Sequence, residues 1–188
     1  MATLVNTGRA PGFRLGRTAR RSWLIVHIGC AVGWMGADVL LAILTLTARF
    51  TADAELAAAA YLSARLLIPV AVPVLAFGML VTGIVLGAGS QWGLARYWWV
   101  LVKLAIGVVL TILVVVLLVP EALSIPGGLQ GTADQVRELV GDASRDLMFP
   151  PLVSFTALGI ALVLSVLKPW GRTRWARAAV RTGASDRP

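Results

Sequence analysis

Charged residues are scarce in this chain. Only 14% of its 188 residues are Asp, Glu, Lys or Arg, whereas 58% are hydrophobic. A soluble domain of this size could not cover so much apolar surface with so few charges. A water-soluble globular domain is therefore excluded, and lipid is the solvent for most of the chain.

Cysteine and histidine are nearly absent, with one residue of each, Cys30 and His27. One cysteine cannot form an internal disulfide, and one histidine without clustered partners does not make a metal site. The sequence also has no nucleophile triad, phosphate-binding loop or metal-ligand cluster. We therefore predict no metal and assign no catalytic residue, and an enzyme is the less favoured class.

Long apolar stretches occur four times, at about 23–48, 66–89, 97–119 and 149–167. At 1.5 Å per residue, each can cross a hydrocarbon layer of about 30 Å as a helix. Isolated strands in lipid would leave backbone groups unpaired. The sequence therefore predicts an all-α polytopic membrane protein, a bundle of four transmembrane helices within residues 23–168.

Eleven of the seventeen basic residues lie in residues 1–22 and 168–188. The first of these ranges is one tail, and the second tail is 169–188, directly after Lys168. The loops after the first and third stretches are poor in Lys and Arg by comparison. Because basic residues remain on the cytoplasmic side, we predict that both termini are cytoplasmic. The tails are expected to contact anionic lipid headgroups and not nucleic acid.

The loop after the third stretch has the pattern of a short amphipathic helix on the outer surface. Apolar residues recur there at helical spacing, at Val136, Leu139, Val140, Ala143 and Leu147. Thr132 and Gln135 have the spacing of a capping box. The alanine-rich residues 53–65 are expected to extend the second helix outward, with a kink at Pro69 and Pro73.

Small residues predict where the helices meet. Gly29, Gly33 and Gly36 share one face of the first helix, and Gly83 and Gly87 do so on the second. A 3-4-4 stripe on the fourth helix consists of Ser154, Ala157, Ala161 and Ser165. Such faces allow close backbone approach, so we interpret them as packing seams.

Ionisable side chains lie inside two of the four stretches. His27, Trp34 and Asp38 share a face of the first helix, since eleven residues return to nearly the same angle. Lys103, Gly107 and Thr111 lie one above another on the third helix. Because glycine has no side chain, this predicts a recess above the lysine. His27 and Lys103 lie about 6 and 9 Å inside the cytoplasmic ends, and Asp38 about 22 Å inside.

Each of these residues has a structural alternative to a functional role. Lys103 can extend to the headgroups, and His27 can be a neutral, hydrogen-bonded packing residue. Asp38 is too deep to reach Lys103, so we expect Arg49 or Arg65 as its partner, or a protonated carboxyl. A carboxylate near mid-bilayer costs about 3 kcal/mol on insertion scales, which favours a functional role for Asp38.

Two segments resemble known membrane families. The first, His27-Ile-Gly-Cys-Ala-Val-Gly-Trp34-Met-Gly36, is similar to the first helix of the CopD copper-resistance domain and of an uncharacterised group of actinobacterial four-helix membrane proteins. The second, Trp92-Gly-Leu-Ala-Arg96-Tyr-Trp-Trp99-Val-Leu-Val-Lys103-Leu104, is similar to the entrance of that group's third helix. The resemblance covers roughly residues 23–119 and implies a bacterial inner membrane location.

A more distant likeness is to the haem-dependent protoporphyrinogen oxidase of the HemJ type. His27 and the run from Trp99 to Lys103 match that family's first-helix histidine and third-helix Trp-x-x-x-Lys. The likeness implies a haem b between the first and third helices. Leu40–Phe50 departs from the family's pattern, and one histidine cannot form a bis-histidine haem within one chain. Copper is less favoured, because Met35 and Met79 have no histidines beside them.

Three function classes follow from these residues. The first is a non-enzymatic accessory or small-molecule-handling membrane protein, which we favour because the other two lack residues. The second is a haem b-binding oxidoreductase using His27 and Lys103. The third is a proton- or metal-coupled transporter using Asp38, which with four spans would need a homo-oligomer. A homo-oligomer or a partner membrane protein is also expected for the first class.

Overall fold

The computed structural model describes residues 15–89, 94, 97–167, 171 and 173, and the regular elements in this part of the chain are helices. They are α1 (Arg17–Phe50), α2 (Ala54–Ala88), α3 (Trp98–Leu113), a π-helical turn (Val114–Leu118), α4 (Val119–Ser124), α5 (Ala133–Val140), α6 (Ala143–Asp146) and α7 (Phe149–Leu167). Residues 1–14, the predicted tail 169–188 apart from residues 171 and 173, and most of the turn at 90–96 fall outside the described residues.

Four helical segments are long and apolar enough to cross a membrane. They are Arg17–Phe50, Ala54–Ala88, Trp98–Ser124 and Ala143–Leu167. The predicted all-α fold with four membrane-spanning helices is therefore confirmed, and these helices imply contact with a lipid bilayer. α1 begins six residues before the first apolar stretch, so Arg17, Arg20 and Arg21 are part of the helix.

The four long helices pack as a ring. α1 lies against α2, α2 against α3, α3 against α7, and α7 closes the ring on α1. Successive helices run in opposite directions, so the start of α1 and the end of α7 share one end of the bundle, which we call the terminus end. The opposite end, with the α1–α2 connection and residues 125–148, is the loop end.

A π-helical turn interrupts the third span at Val114–Leu118, just before Pro120. Proline has no N–H to donate, and its ring would clash with the carbonyl four residues earlier, at Val116. A wider turn accommodates both constraints while the helix continues. The third span therefore remains helical from Trp98 to Ser124, with a change of helix type at Val114–Leu118.

Residues 125–148 form a folded cap over the loop end. The capping box of Thr132 and Gln135 is present at the start of α5, as predicted. The expected single helix is in fact two, because Gly141 adopts φ +64° and ends α5, and α6 follows. Of the predicted apolar face only Leu139 is exposed, at 52%.

The cap packs on the outward extension of α2, which begins at Ala54 as predicted. Side chains at helical spacing on α2 meet it, namely Ala57, Ala60, Tyr61 and Ala64, all buried. The Tyr61 hydroxyl donates to Ser144 Oγ at 3.1 Å. Arg137 donates to the Thr51 carbonyl at 3.0 Å and so covers the end of α1.

The expected glycine seam on α1 is only partly correct. A Cβ at Gly33 would come within 3.0 Å of Leu75 on α2, so this glycine is a close helix contact. Gly29 and Gly36 have nothing within 4 Å of such an atom and are exposed. Their face of α1 is therefore directed to the bundle's surface. Gly29 and Gly36 differ from Gly33 by only about 40° and 60° around the helix, so the sequence places all three on one face.

Candidate functional site

His27 on α1 bonds to α2. Its Nδ1 lies 2.9 Å from Thr82 Oγ1 and 3.1 Å from the Met79 carbonyl oxygen. The Thr82 hydroxyl donates to the Gly78 carbonyl at 2.6 Å, so its lone pairs face the imidazole and we assign the proton to Nδ1. The ring packs on Gly83, where a Cβ would come within 3.2 Å of Cε1. The structural alternative for His27, a hydrogen-bonded packing residue, accounts for these contacts.

Lys103 on α3 bonds to α7. Its Nζ donates to Ser165 Oγ at 2.7 Å and lies 4.7 Å from the centroid of the Trp99 ring. Ser165 in turn donates to the Ala161 carbonyl at 3.0 Å. His27 and Lys103 thus make their hydrogen bonds with different helices, α2 and α7.

The recess predicted above Lys103 is filled. A Cβ at Gly107 would stand 3.7 Å from Leu80 Cδ1 and 3.8 Å from Met79 Cε, so two side chains of α2 cover this glycine. Thr111, one turn further along α3, is buried and donates to the Gly107 carbonyl at 2.7 Å. The glycine therefore serves helix packing.

Asp38 lies deep between α1 and α7. Its exposed fraction is 3%, that of Trp34 is 0% and that of Ser154 is 8%. The Trp34 indole and the Ser154 hydroxyl are the polar groups facing its carboxyl. Trp34 Nε1 nevertheless has no hydrogen-bond partner within the described chain, and neither has Asp38 Oδ2. Most buried polar atoms in proteins do have a partner, so this pair requires an explanation.

The expected arginine partners of Asp38 are wrong. The Arg49 guanidinium lies 5.9 Å from the Phe50 ring centroid, and that of Arg65 lies against Gly127. Among the described residues the ion pair is Arg137 with Asp134, in the cap. Both arginines are thus held at the loop end, and Asp38 has no cationic partner in the described chain.

These residues form two polar layers. The terminal layer, near the terminus end, consists of His27, Thr82, Lys103 and Ser165. The middle layer consists of Trp34, Asp38 and Ser154. Eleven residues separate His27 from Asp38 on α1, and eleven separate Ser154 from Ser165 on α7, so the layers are about 16 Å apart on both helices.

The sequence indicates His27, Trp34, Asp38 and Lys103 as candidate site residues, and Ser154 and Ser165 only as small packing residues. The repeated eleven-residue spacing was the available signal, because it places Ser154 and Ser165 on one face of α7, as it places His27 and Asp38 on one face of α1. No comparable signal identifies Thr82 as the partner of His27.

Other features add no second site of this kind. Within the described ranges no three His, Cys, Asp or Glu side chains could hold a metal ion. An apolar groove of about 460 Å³ lies on the α1–α2 seam, lined by Leu40, Leu44, Ser63, Leu66, Leu67, Val70 and Ala71. It contains none of the predicted site residues.

No family model, curated protein or solved structure matches this chain. The likeness to the CopD domain, to the actinobacterial group and to HemJ-type oxidases therefore remains a prediction from short motifs.

The residues do not fit a haem held between α1 and α3. Nδ1–H of His27 bonds to α2, an arrangement that leaves Nε2 as the ligating atom, as in many metal-binding histidines. Lys103, however, is bonded to Ser165 on α7. His27 and Lys103 are thus bonded to two different helices, α2 and α7, and not to a shared pocket between α1 and α3, so we derive no chemistry through haem.

Proposed function

We propose that this is a non-enzymatic bacterial inner-membrane protein that handles a small ligand inside its bundle, at Trp34, Asp38 and Ser154. One observation supports this most. A donor, Trp34 Nε1, and an acceptor, Asp38 Oδ2, are both buried and both without a hydrogen-bond partner in the described chain. Leaving such groups unpaired in a protein interior costs about 1–3 kcal/mol each. A ligand whose binding gives these two groups hydrogen-bond partners removes that cost.

The charge of the site supports the same conclusion. Asp38 is the only acidic residue in the four predicted apolar stretches. Ionisable residues at this depth usually mark a pathway or a ligand site. An apolar side chain of similar volume would fill the same space and has no polar atom that needs a hydrogen-bond partner.

A hydrophobic carbodiimide tests whether small molecules reach Asp38. This reagent adds a neutral carboxylic acid across its N=C=N group and leaves a covalent adduct that mass spectrometry locates. We expect modification of Asp38 in membranes whose exposed acids were first blocked with a water-soluble carbodiimide, and none in Asp38→Asn. Modification of Asp38 only after denaturation would mean that the site is sealed, and would overturn the proposed function.

We further propose that the terminus end is cytoplasmic, with residues 125–148 outside. The concentration of eleven of the seventeen basic residues in the two tails supports this orientation. The test uses single cysteines at the exposed positions Thr18, Ala52 and Leu139 in a Cys30→Ser background. An impermeant maleimide added to intact spheroplasts should label positions 52 and 139, and position 18 only after lysis.

Val153→Cys, exposed on the apolar surface of α7, serves as the membrane-embedded control and should stay unlabelled in both conditions. Labelling of position 18 before lysis would contradict the orientation.

A further inference from the structure

The middle layer offers very few polar groups to a ligand. It has one carboxyl, one indole N–H and one hydroxyl, and Ser154 Oγ already has a long hydrogen bond, 3.5 Å, to the Pro151 carbonyl. A hard metal cation takes about six or more oxygen ligands. A primary ammonium has three donors to satisfy. Neither requirement is met by one carboxyl and one hydroxyl beside an N–H donor.

A proton has neither requirement, because it binds to one oxygen and needs no additional space. We infer that the ligand exchanged at this site is a proton, carried by Asp38 and accompanied by a change in its contacts with Trp34 and Ser154. The inference rests on the proposed function and names its ligand. It also assigns Ser154 a role as positioning residue across the α1–α7 interface.

In the neutral form, the two groups that are unpaired in the structure turn toward each other: Trp34 Nε1–H donates to Asp38 Oδ2, while the hydroxyl on Asp38 Oδ1 donates to Ser154 Oγ. On release, the O–H bond breaks heterolytically, its electron pair stays on the carboxylate, and the proton passes to a water molecule as hydronium. The carboxylate accepts from both neighbours, so the Ser154 hydroxyl turns toward Asp38 and leaves the Pro151 carbonyl. Binding reverses these steps.

No other ionisable group faces Asp38 from the described parts of the elements packed around it. α7 and residues 66–88 of α2 have none, and on α1 the nearest are the Cys30 thiol, eight residues or about 12 Å away, and His27 and Arg49, each eleven residues or about 16 Å away. The remaining ones on the neighbouring elements are Glu55, Tyr61 and Arg65 of α2, Lys103 of α3, and Arg145 and Asp146 of α6. Lys103 bonds to Ser165 in the other layer, and the rest lie toward the loop end. A pH-dependent signal from the middle layer can therefore be assigned to Asp38.

Infrared difference spectroscopy of the full-length protein in liposomes tests the inference. A step from acid to alkaline pH should remove the carbonyl stretches of the protonated carboxylic acids, and one of these bands should be missing in Asp38→Asn. Ser154→Ala should keep that band but shift its frequency, because one hydrogen-bond partner is lost. Asp142→Asn, an exposed acid of the cap, is the control and should leave the Asp38 band unchanged.

The outcomes separate this inference from the proposed function. An Asp38 that reacts with the carbodiimide but shows no pH-dependent band would overturn the proton and leave the ligand site standing. A band that Ser154→Ala does not shift would overturn the positioning role of Ser154. An Asp38 that does not react overturns the proposed function itself.

Discussion

The two polar layers each contain side chains of α1 and α7 but differ in how completely their polar groups are paired. In the terminal layer, His27 bonds to Thr82 and Met79 on α2, and Lys103 bonds to Ser165 on α7. In the middle layer, Trp34 Nε1 and Asp38 Oδ2 have no hydrogen-bond partner within the described chain. The terminal layer therefore holds helices together, whereas the middle layer has binding capacity that the described chain does not use.

The largest expected effect comes from disrupting the terminal layer. Gly83→Leu places a side chain where the His27 ring packs, since a Cβ at this position would come within 3.2 Å of the ring. We expect the free energy of unfolding to fall by about 2 kcal/mol, because overpacking at a tight contact typically costs about 1–3 kcal/mol. Unfolding in mixed micelles with increasing SDS measures it.

Gly36→Leu is the matched control for this substitution. It makes the same change in a membrane-spanning helix, at a glycine with nothing within 4 Å. We expect no loss of stability, because leucine is the better helix former. Equal losses in the two variants would show that His27 does not pack on Gly83.

A smaller effect is expected for the contact between Lys103 and Ser165. A double-mutant cycle with Lys103→Met and Ser165→Ala should give a coupling free energy of about 1 kcal/mol, since hydrogen bonds between membrane helices average about 0.6 and reach about 1.7 kcal/mol. Zero coupling would favour the alternative in which the lysine extends to the headgroups.

The absorption spectrum tests the contacts of the terminal layer without a measurement of stability. Because His27 and Lys103 bond to different helices, we expect the protein purified in mild detergent to show no Soret band, oxidised or reduced, even after haem is supplied. A Soret band weakened by both His27→Ala and Lys103→Ala would return these residues to the role that the HemJ-type likeness implies.

The sequence predicted the spans and the shared face of His27 and Asp38, because hydropathy and helical period depend only on residue order. It could not predict which neighbouring helix each side chain meets. That is why Arg49 and Arg65 were wrong as partners of Asp38, and why only Gly33 of three glycines is a helix contact. Such contacts depend on the rotation of each helix in the bundle.

The cap illustrates the same limit in a local feature. The capping box at Thr132 and Gln135 was predictable, since it depends on residues three apart. Apolar residues recur at helical spacing on both sides of Gly141, as far as Leu147. This spacing gave no sign that the helix ends at Gly141, whose φ is positive. Glycine just past the last turn is a recognised helix-ending signal, which the apolar spacing outweighed.

The unfolding free energy of Asp38→Asn, measured beside Thr82→Val, tests most directly whether the middle layer is kept for a ligand. Both substitutions are nearly isosteric. Thr82→Val removes the hydroxyl that joins His27 to the Gly78 carbonyl and should cost about 1 kcal/mol. Asp38→Asn should cost nothing measurable, because Asp38 Oδ2 loses no partner within the described chain. A loss for Asp38→Asn as large as that for Thr82→Val would show that Asp38 holds the fold together, and would contradict the account.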